Sequence, residues 1–261
     1  MFDSGVGGLS VLHAARTELP CEHFIYFADS GYAPYGDKSD AYVTGRSEFI
    51  GAWLIGQGVK AIVVACNTAT AVAVQALRAK FKLPIVGVEP GLKPAVNATK
   101  SRKVGVLATA RTLASERYAA LVASVKTEAS NVEFIPRIGE GWVEAVEGGE
   151  IDSPQSRALV ARVVAPLIAE GCDTLVLGCT HYPFLITAIQ SAAPEATIID
   201  TAPAIARQLE RRIASEALLN GSGTRGSLRV ATTGDAAHTA TLVAIMLRDA
   251  IAPRAIEVVV A

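Results

Sequence analysis

Two cysteines stand in near-copies of one setting. Cys66 ends the apolar run of IVVACNTAT (62–70), and Cys179 ends that of LVLGCTHYP (175–183). Each is followed by residues suited to a helix N-terminus: Asn67 and Thr68 in one case, Thr180 through Pro183 in the other. A thiol facing a helix N-terminus meets a positive partial charge and free N–H donors. That setting lowers a thiol pKa and makes thiolate accessible near neutral pH. One such cysteine suggests a nucleophile, and two suggest a symmetric task. Two thiols across a cleft can remove a proton from one face of a carbon and return one to the other, inverting the stereocentre. The task needs one group deprotonated and the other protonated, with pKa values near the working pH, and no cofactor. The remaining cysteines, Cys21 and Cys172, adjoin no polar strand end and are read as small buried hydrophobes.

Such thiols need strands to carry them. Apolar β-rich runs at 23–28, 61–66, 84–88, 103–108, 132–137, 173–179, 196–200, 228–234 and 255–260 alternate with helical patterns at 39–57, 69–80, 112–124, 155–170, 203–216 and 236–249. This alternation predicts an α/β fold with mainly parallel sheets covered on both faces. In such sheets ligands gather at the C-terminal strand ends, here Asp29, Cys66–Thr68, Glu89, Thr109, Cys179–His181 and Asp200. EPGLKP (89–94) and DTAP (200–203) carry turn chemistry suited to crossings between two domains.

Composition narrows the class. The 261 residues suffice for one large or two smaller domains, the formal net charge is −1, and no basic block argues for nucleic acid. Although 51% of residues are apolar, no run reaches the ~18 needed to span a bilayer. The start MFDSGVGGLS lacks the basic and apolar regions of a signal peptide. No C-x-x-C or zinc-type Cys/His spacing occurs, so neither metal nor disulfide framework is expected, and the default compartment is the cytoplasm. DSGVGG lacks phosphate-loop spacing. Gly5, Gly7 and Gly8 are instead expected to let backbone approach a substrate and shape a helix entry.

The chain resembles the glutamate racemases of the aspartate/glutamate racemase superfamily through FDSGVGGLSVL (2–12), PYGDKS (34–39), ACNTAT (65–70), GVEPG (87–91), GVLAT (105–109) and GCTHYP (178–183), in family order. The pair ACNTA and GCTHYP is the specific part. The resemblance implies cofactor-independent interconversion of L- and D-glutamate for peptidoglycan synthesis. It implies two similar, pseudo-symmetric α/β domains with the active site in the cleft between them. With the turns above, the first would hold 1–91 and 203–261, and the second 92–202. Relatives are often dimers, which makes a homodimer an implication of the resemblance.

By the same resemblance Cys66 and Cys179 are the acid/base pair, Asp3 polarises the Cys66 side, and His181 assists Cys179. Glu147 is the candidate second carboxylate near Cys179, although the same segment offers Glu140, Glu144 and Glu150. Asp3 with Ser4, Tyr35 with Gly36, Asn67 with Thr68, and Thr180 with His181 match substrate-contacting pairs, and Thr109 adds a donor. These hydroxyls, amide and backbone N–H groups can hold carboxylates without Arg or Lys. His13, His23 and His238 receive no role.

The chain departs from the pattern at its start. Relatives usually carry several residues before FDSG as a first strand, whereas only Met1 and Phe2 precede Asp3. A central strand so short is expected to leave its neighbours unpaired. A displaced start or a truncation is therefore expected, with upstream residues raising stability and activity when restored. The N-terminal extension of some activator-dependent relatives is not expected. Two other readings stay open. One is an aspartate racemase or another two-cysteine racemase of the superfamily, against which DSGVGG with PYGD speaks. The other is a non-catalytic binding or regulatory protein on the same fold, against which the presence of both cysteines speaks.

Overall fold

The computed structural model describes residues 1–247 and 256–258. Its first sheet has six strands in the order β10-β9-β2-β1-β3-β4. These are β1 (Phe2–Asp3), β2 (Phe24–Ala28), β3 (Ile62–Val64), β4 (Ile85–Gly87), β9 (Leu228–Thr232) and β10 (Ile256–Val258). The second sheet has four, in the order β6-β5-β7-β8: β5 (Lys103–Ala108), β6 (Glu133–Ile138), β7 (Thr174–Gly178) and β8 (Thr197–Ile199). Every described strand pair is parallel.

Helices cover the sheets, as near-continuous apolar strands require. They are α1 (Leu9–Glu18), α2 (Asp40–Gly56), α3 (Asn67–Lys80), α4 (Leu92–Ala98), α5 (Ala110–Leu113), α6 (Glu116–Glu128), α7 (Trp142–Glu147), α8 (Pro154–Ala169), α9 (Ile186–Ala192), α10 (Ala202–Ser215) and α11 (Ala236–Leu247). Local chemistry sets several starts. Ser39 caps α2 by accepting from Tyr42 N–H at 3.3 Å, and Ser153 caps α8, whose first residue is Pro154. The single helix expected at 112–124 is two, because Ser115 accepts from Tyr118 N–H and starts α6 afresh. The helical patterns read along the sequence did not include α1, α4, α7 or α9. Residues 248–249, 255 and 259–260 of the expected last helix and strand lie outside the described residues.

The two-residue β1 is paired on both sides, where a strand so short was expected to leave its neighbours unpaired. Phe2 pairs with Phe27 on one side and Val64 on the other, Asp3 pairs with Ala28, and the Met1 ammonium donates to the Ile25 carbonyl at 2.8 Å. Short as it is, this strand occupies the middle of the sheet and is paired on both flanks. The register sets the site: with Phe2 opposite Val64, Asp3 and Cys66 emerge at the same sheet edge. In the second sheet Ala108 lies opposite Gly178, so Thr109 and Cys179 emerge together. After β8 the chain rejoins the first sheet, α10 packing on α1 and β4 before β9 and β10. Among the described residues no helix is long and apolar enough to cross a membrane.

Candidate active site

A cavity of about 220 Å³ lies between the C-terminal ends of the two sheets, with Cys66 and Cys179 both on its wall. All of the expected site residues line it except Asp3 and Glu147, which stand one layer behind. Among the described residues the lining contains no Lys or Arg. Ser4, Thr68, Thr109 and Thr180 supply hydroxyls, and Asn67 presents a buried Nδ2 with no acceptor among the described residues.

Cys66 occupies the N-cap of α3, and its sulfur accepts from Ala69 N–H at 3.4 Å. The expected helix contact is present, but the expected thiol acidity is not. Burial pushes the Cys66 thiol well above its usual pKa, and the Asp3 carboxylate adds to the rise. The Ala69 N–H and the Ser4 hydroxyl oppose it too weakly. Asp3 reaches Cys66 through Ser4. Cys66 Sγ donates toward Ser4 Oγ at 3.8 Å, and Ser4 Oγ donates to Asp3 Oδ1 at 3.5 Å. Asp3 is wholly buried and accepts from Gly8 N–H at 2.6 Å and Thr180 Oγ1 at 3.4 Å. Burial raises its carboxyl pKa despite the opposing charge of His181.

Cys179 is held differently. The chain after it forms a short 3-10 turn (Tyr182–Leu185) before α9, so a side chain takes the place of a helix N-terminus. His181 Nδ1 lies 3.7 Å from Cys179 Sγ, and His181 Nε2 lies 2.6 Å from Glu147 Oε1. Burial by itself would lower the imidazolium pKa, yet the bonds to Cys179 and Glu147 outweigh it and raise the pKa well above the usual value. Burial likewise pushes Glu147 up, but His181 and the Val6 N–H, which donates at 2.7 Å, hold it below the usual range. Of the acidic residues in 140–150, Glu147 is therefore the one that reaches His181, while Glu140 and Glu144 face the cavity.

The glycines of DSGVGG approach side chains. A Cβ on Gly5 would sit 1.9 Å from Glu147 Oε1, and one on Gly7 would sit 2.3 Å from His181 Nδ1. Their bareness admits the His181–Glu147 pair, where the sequence suggested room for substrate.

Sequence reasoning missed several supports. His238 Nε2 bonds the Glu147 carbonyl at 2.7 Å. Thr112 Oγ1 lies 3.0 Å from Thr109 and 3.4 Å from Thr68, tying the two sheets' loops together. Tyr182 and Val143 also line the cavity. The spacing of Thr112 three residues after Thr109 was a capping signal available in the sequence; His238 carried none.

The profile of the Asp/Glu/Hydantoin racemase family matches residues 15–209. A glutamate racemase from Herpetosiphon aurantiacus is 49% identical over 241 residues, covering 92% of this chain and 94% of that protein. The crystal structure of Escherichia coli glutamate racemase in complex with L-glutamate and the activator UDP-MurNAc-ala superposes with a TM-score of 0.86 at 31% identity. It covers 98% of this chain and 96% of that one. The glutamate racemase of Francisella tularensis, solved with D-glutamate, superposes with a TM-score of 0.84 at 27% identity, covering 99% and 96%. With a family match over most of its length, and close to half its residues shared with a curated racemase, the chain belongs to the Asp/Glu/Hydantoin racemase family and is an amino-acid racemase, an isomerase.

Proposed function

We propose that the chain interconverts L- and D-glutamate without a cofactor, Cys66 and Cys179 acting as opposed acid and base. The observation that carries this reading is that both thiols line one cavity, each delivered by a different sheet. One sulfur, as thiolate, takes the α-proton from its face of the substrate. The other, as thiol, gives a proton to the opposite face, and the centre inverts. Cys66 waits as the thiol, in keeping with its raised pKa. His181, backed by Glu147, holds the proton exchanged at Cys179. Asp3 acts on Cys66 through Ser4 and by its charge.

Ser4, Tyr35, Gly36, Asn67, Thr68, Thr109, Thr180 and His181 form the substrate wall in this reading. Their fixed donors receive the two carboxylates. The relatives' complexes with L- and D-glutamate support glutamate as the substrate. The product D-glutamate would serve peptidoglycan synthesis in the cytoplasm. Residues 1–91 with 203–261, and 92–202, would be the two domains that flank the cavity.

The test is incubation with L- or D-glutamate in deuterated water, followed by circular dichroism and α-deuterium NMR, with Cys66→Ser and Cys179→Ser alongside. Inversion with solvent deuterium in wild type, abolished in each variant, is expected. Inversion of aspartate alone would replace the substrate, and inversion that survives loss of either thiol would remove the two-thiol mechanism.

A further inference from the structure

Beside the cavity, outside the thiol machinery, a buried carboxylate pairs with a partly buried arginine. Asp29 follows β2 and is wholly buried. Its Oδ2 accepts from the Tyr35 hydroxyl at 2.5 Å and from Arg46 Nε at 2.9 Å. Its Oδ1 accepts from Arg46 Nη2 at 2.7 Å and Thr233 Oγ1 at 2.9 Å. The guanidinium is also stacked on Tyr32, 3.6 Å from the ring centroid. A buried carboxylate is tolerated only when so fully satisfied, and losing one partner is costly. The Asp29 N–H donates to the Asp3 carbonyl at 3.0 Å, so the pair is anchored at the edge from which the site grows.

We infer that Asp29 and Arg46 are positioning residues. They consume the Tyr35 hydroxyl and fix the Tyr35–Gly36 wall of the cavity against Thr109, so Tyr35 meets the substrate as a rigid wall and not through its phenol. Two observations carry this. Tyr35 lines the cavity while 1% exposed, with its one hydroxyl proton already directed at Asp29. An oxygen that has given its proton away offers only lone pairs, which repel a carboxylate. The next residue, Gly36, faces the opposing loop, where a Cβ would be in ordinary van der Waals contact with Thr109, 3.5 Å from its Cβ. A shift of Tyr35 therefore moves a wall shared by both sheets.

The inference rests on the turnover proposed above for its kinetic readout, and a second readout is free of it. In a double-mutant cycle, Tyr35→Phe is expected to raise KM about tenfold with kcat little changed, because it takes one donor from a buried carboxylate and releases the ring from its anchor. In an Asp29→Asn background the same change should add almost nothing. Arg46→Gln should raise KM, and Arg46→Lys should restore part of the loss. Equal effects of Tyr35→Phe with and without Asp29 would make the phenol a direct ligand and overturn the inference. Should Asp29→Asn fail to fold, the Arg46 pair decides. Amide hydrogen exchange across residues 35–38 in ligand-free protein should quicken in Arg46→Gln and slow again in Arg46→Lys. Unchanged exchange would also overturn the inference, whether or not glutamate is turned over.

Discussion

His181 Nε2 lies 2.6 Å from Glu147 Oε1, while His181 Nδ1 faces Cys179 Sγ at 3.7 Å. One imidazole therefore joins a carboxylate on α7 to a thiol at the end of β7. The two thiols of the cavity are unlike in their surroundings: Cys66 has a carboxylate and a hydroxyl behind it, Cys179 an imidazole and a carboxylate.

Removing the Glu147 charge should shift the pH–rate profile. Without that carboxylate, His181 keeps Cys179 but loses one of the two partners that oppose burial, and its pKa falls. Glu147→Gln is expected to move the basic limb of the profile to lower pH and to reduce kcat about tenfold or more, toward the range for general acid–base catalysis. Initial rates across pH with both enantiomers check this. An unmoved basic limb would detach Glu147 from the proton path.

The same pair should leave a signature in stability. His181 is raised in the fold, so its contribution is fully present below its usual value of 6.5 and is lost as pH rises through the folded value. Glu147 is lowered, so its contribution is present above its usual 4.5 and is lost as pH falls through the folded value. The melting-temperature difference between wild type and Glu147→Gln should thus be greatest between these two usual values and shrink at more acid and more alkaline pH. Thermal melts over a pH series measure it, and a difference that keeps growing above neutrality would contradict the assignment.

Cys66 should alkylate slowly at neutral pH, because burial and Asp3 hold it as the thiol. Asp3→Asn removes the nearby charge, and each unit of pKa recovered raises the thiolate fraction about tenfold. Peptide mapping after timed iodoacetamide exposure, with the more accessible Cys21 as the internal reference, should show faster labelling of Cys66 in the variant. The same variant should racemise more slowly. Equal labelling rates would show that Asp3 does not govern this thiol.

Gly7→Ala should be damaging in a way that Gly5→Ala is not. A Cβ on Gly7 meets the His181 ring at Nδ1, Cε1 and Cγ, all within 2.6 Å, and that ring is 3% exposed with little room to retreat. Loss of about 1–3 kcal/mol of stability together with loss of turnover is expected. At Gly5 the clash is with the carboxylate tip of Glu147, which can swing aside. Stability should then largely hold while Glu147 leaves His181 and Val6. Denaturant unfolding of both variants, compared with their rates, separates the two effects.

Much of the architecture was legible along the chain. The runs ending at Cys66 and Cys179 are apolar because buried parallel strands present both faces to helices, and that pattern needs no tertiary knowledge to be seen. The pairing of two such cysteines, and the polar residues after them, likewise pointed to one site. Other features were illegible for a physical reason. Phe2–Asp3 is too short to show a strand period, and only pairing with β2 and β3 makes it one. The choice of Glu147 over Glu140 and Glu144 depends on which face of α7 meets His181, a contact spanning 34 positions. The thiol environment depended most on the fold. A helix N-terminus predicts an acidic Cys66, but desolvation and the Asp3 carboxylate arrive from distant segments and outweigh it. Residue types and local periods are written in sequence order, so sequence alone determined the α/β class and the chemistry available. Burial, charge neighbours and the meeting of two sheets at one cavity exist only once the chain is packed, and tertiary structure alone decided how each group is held.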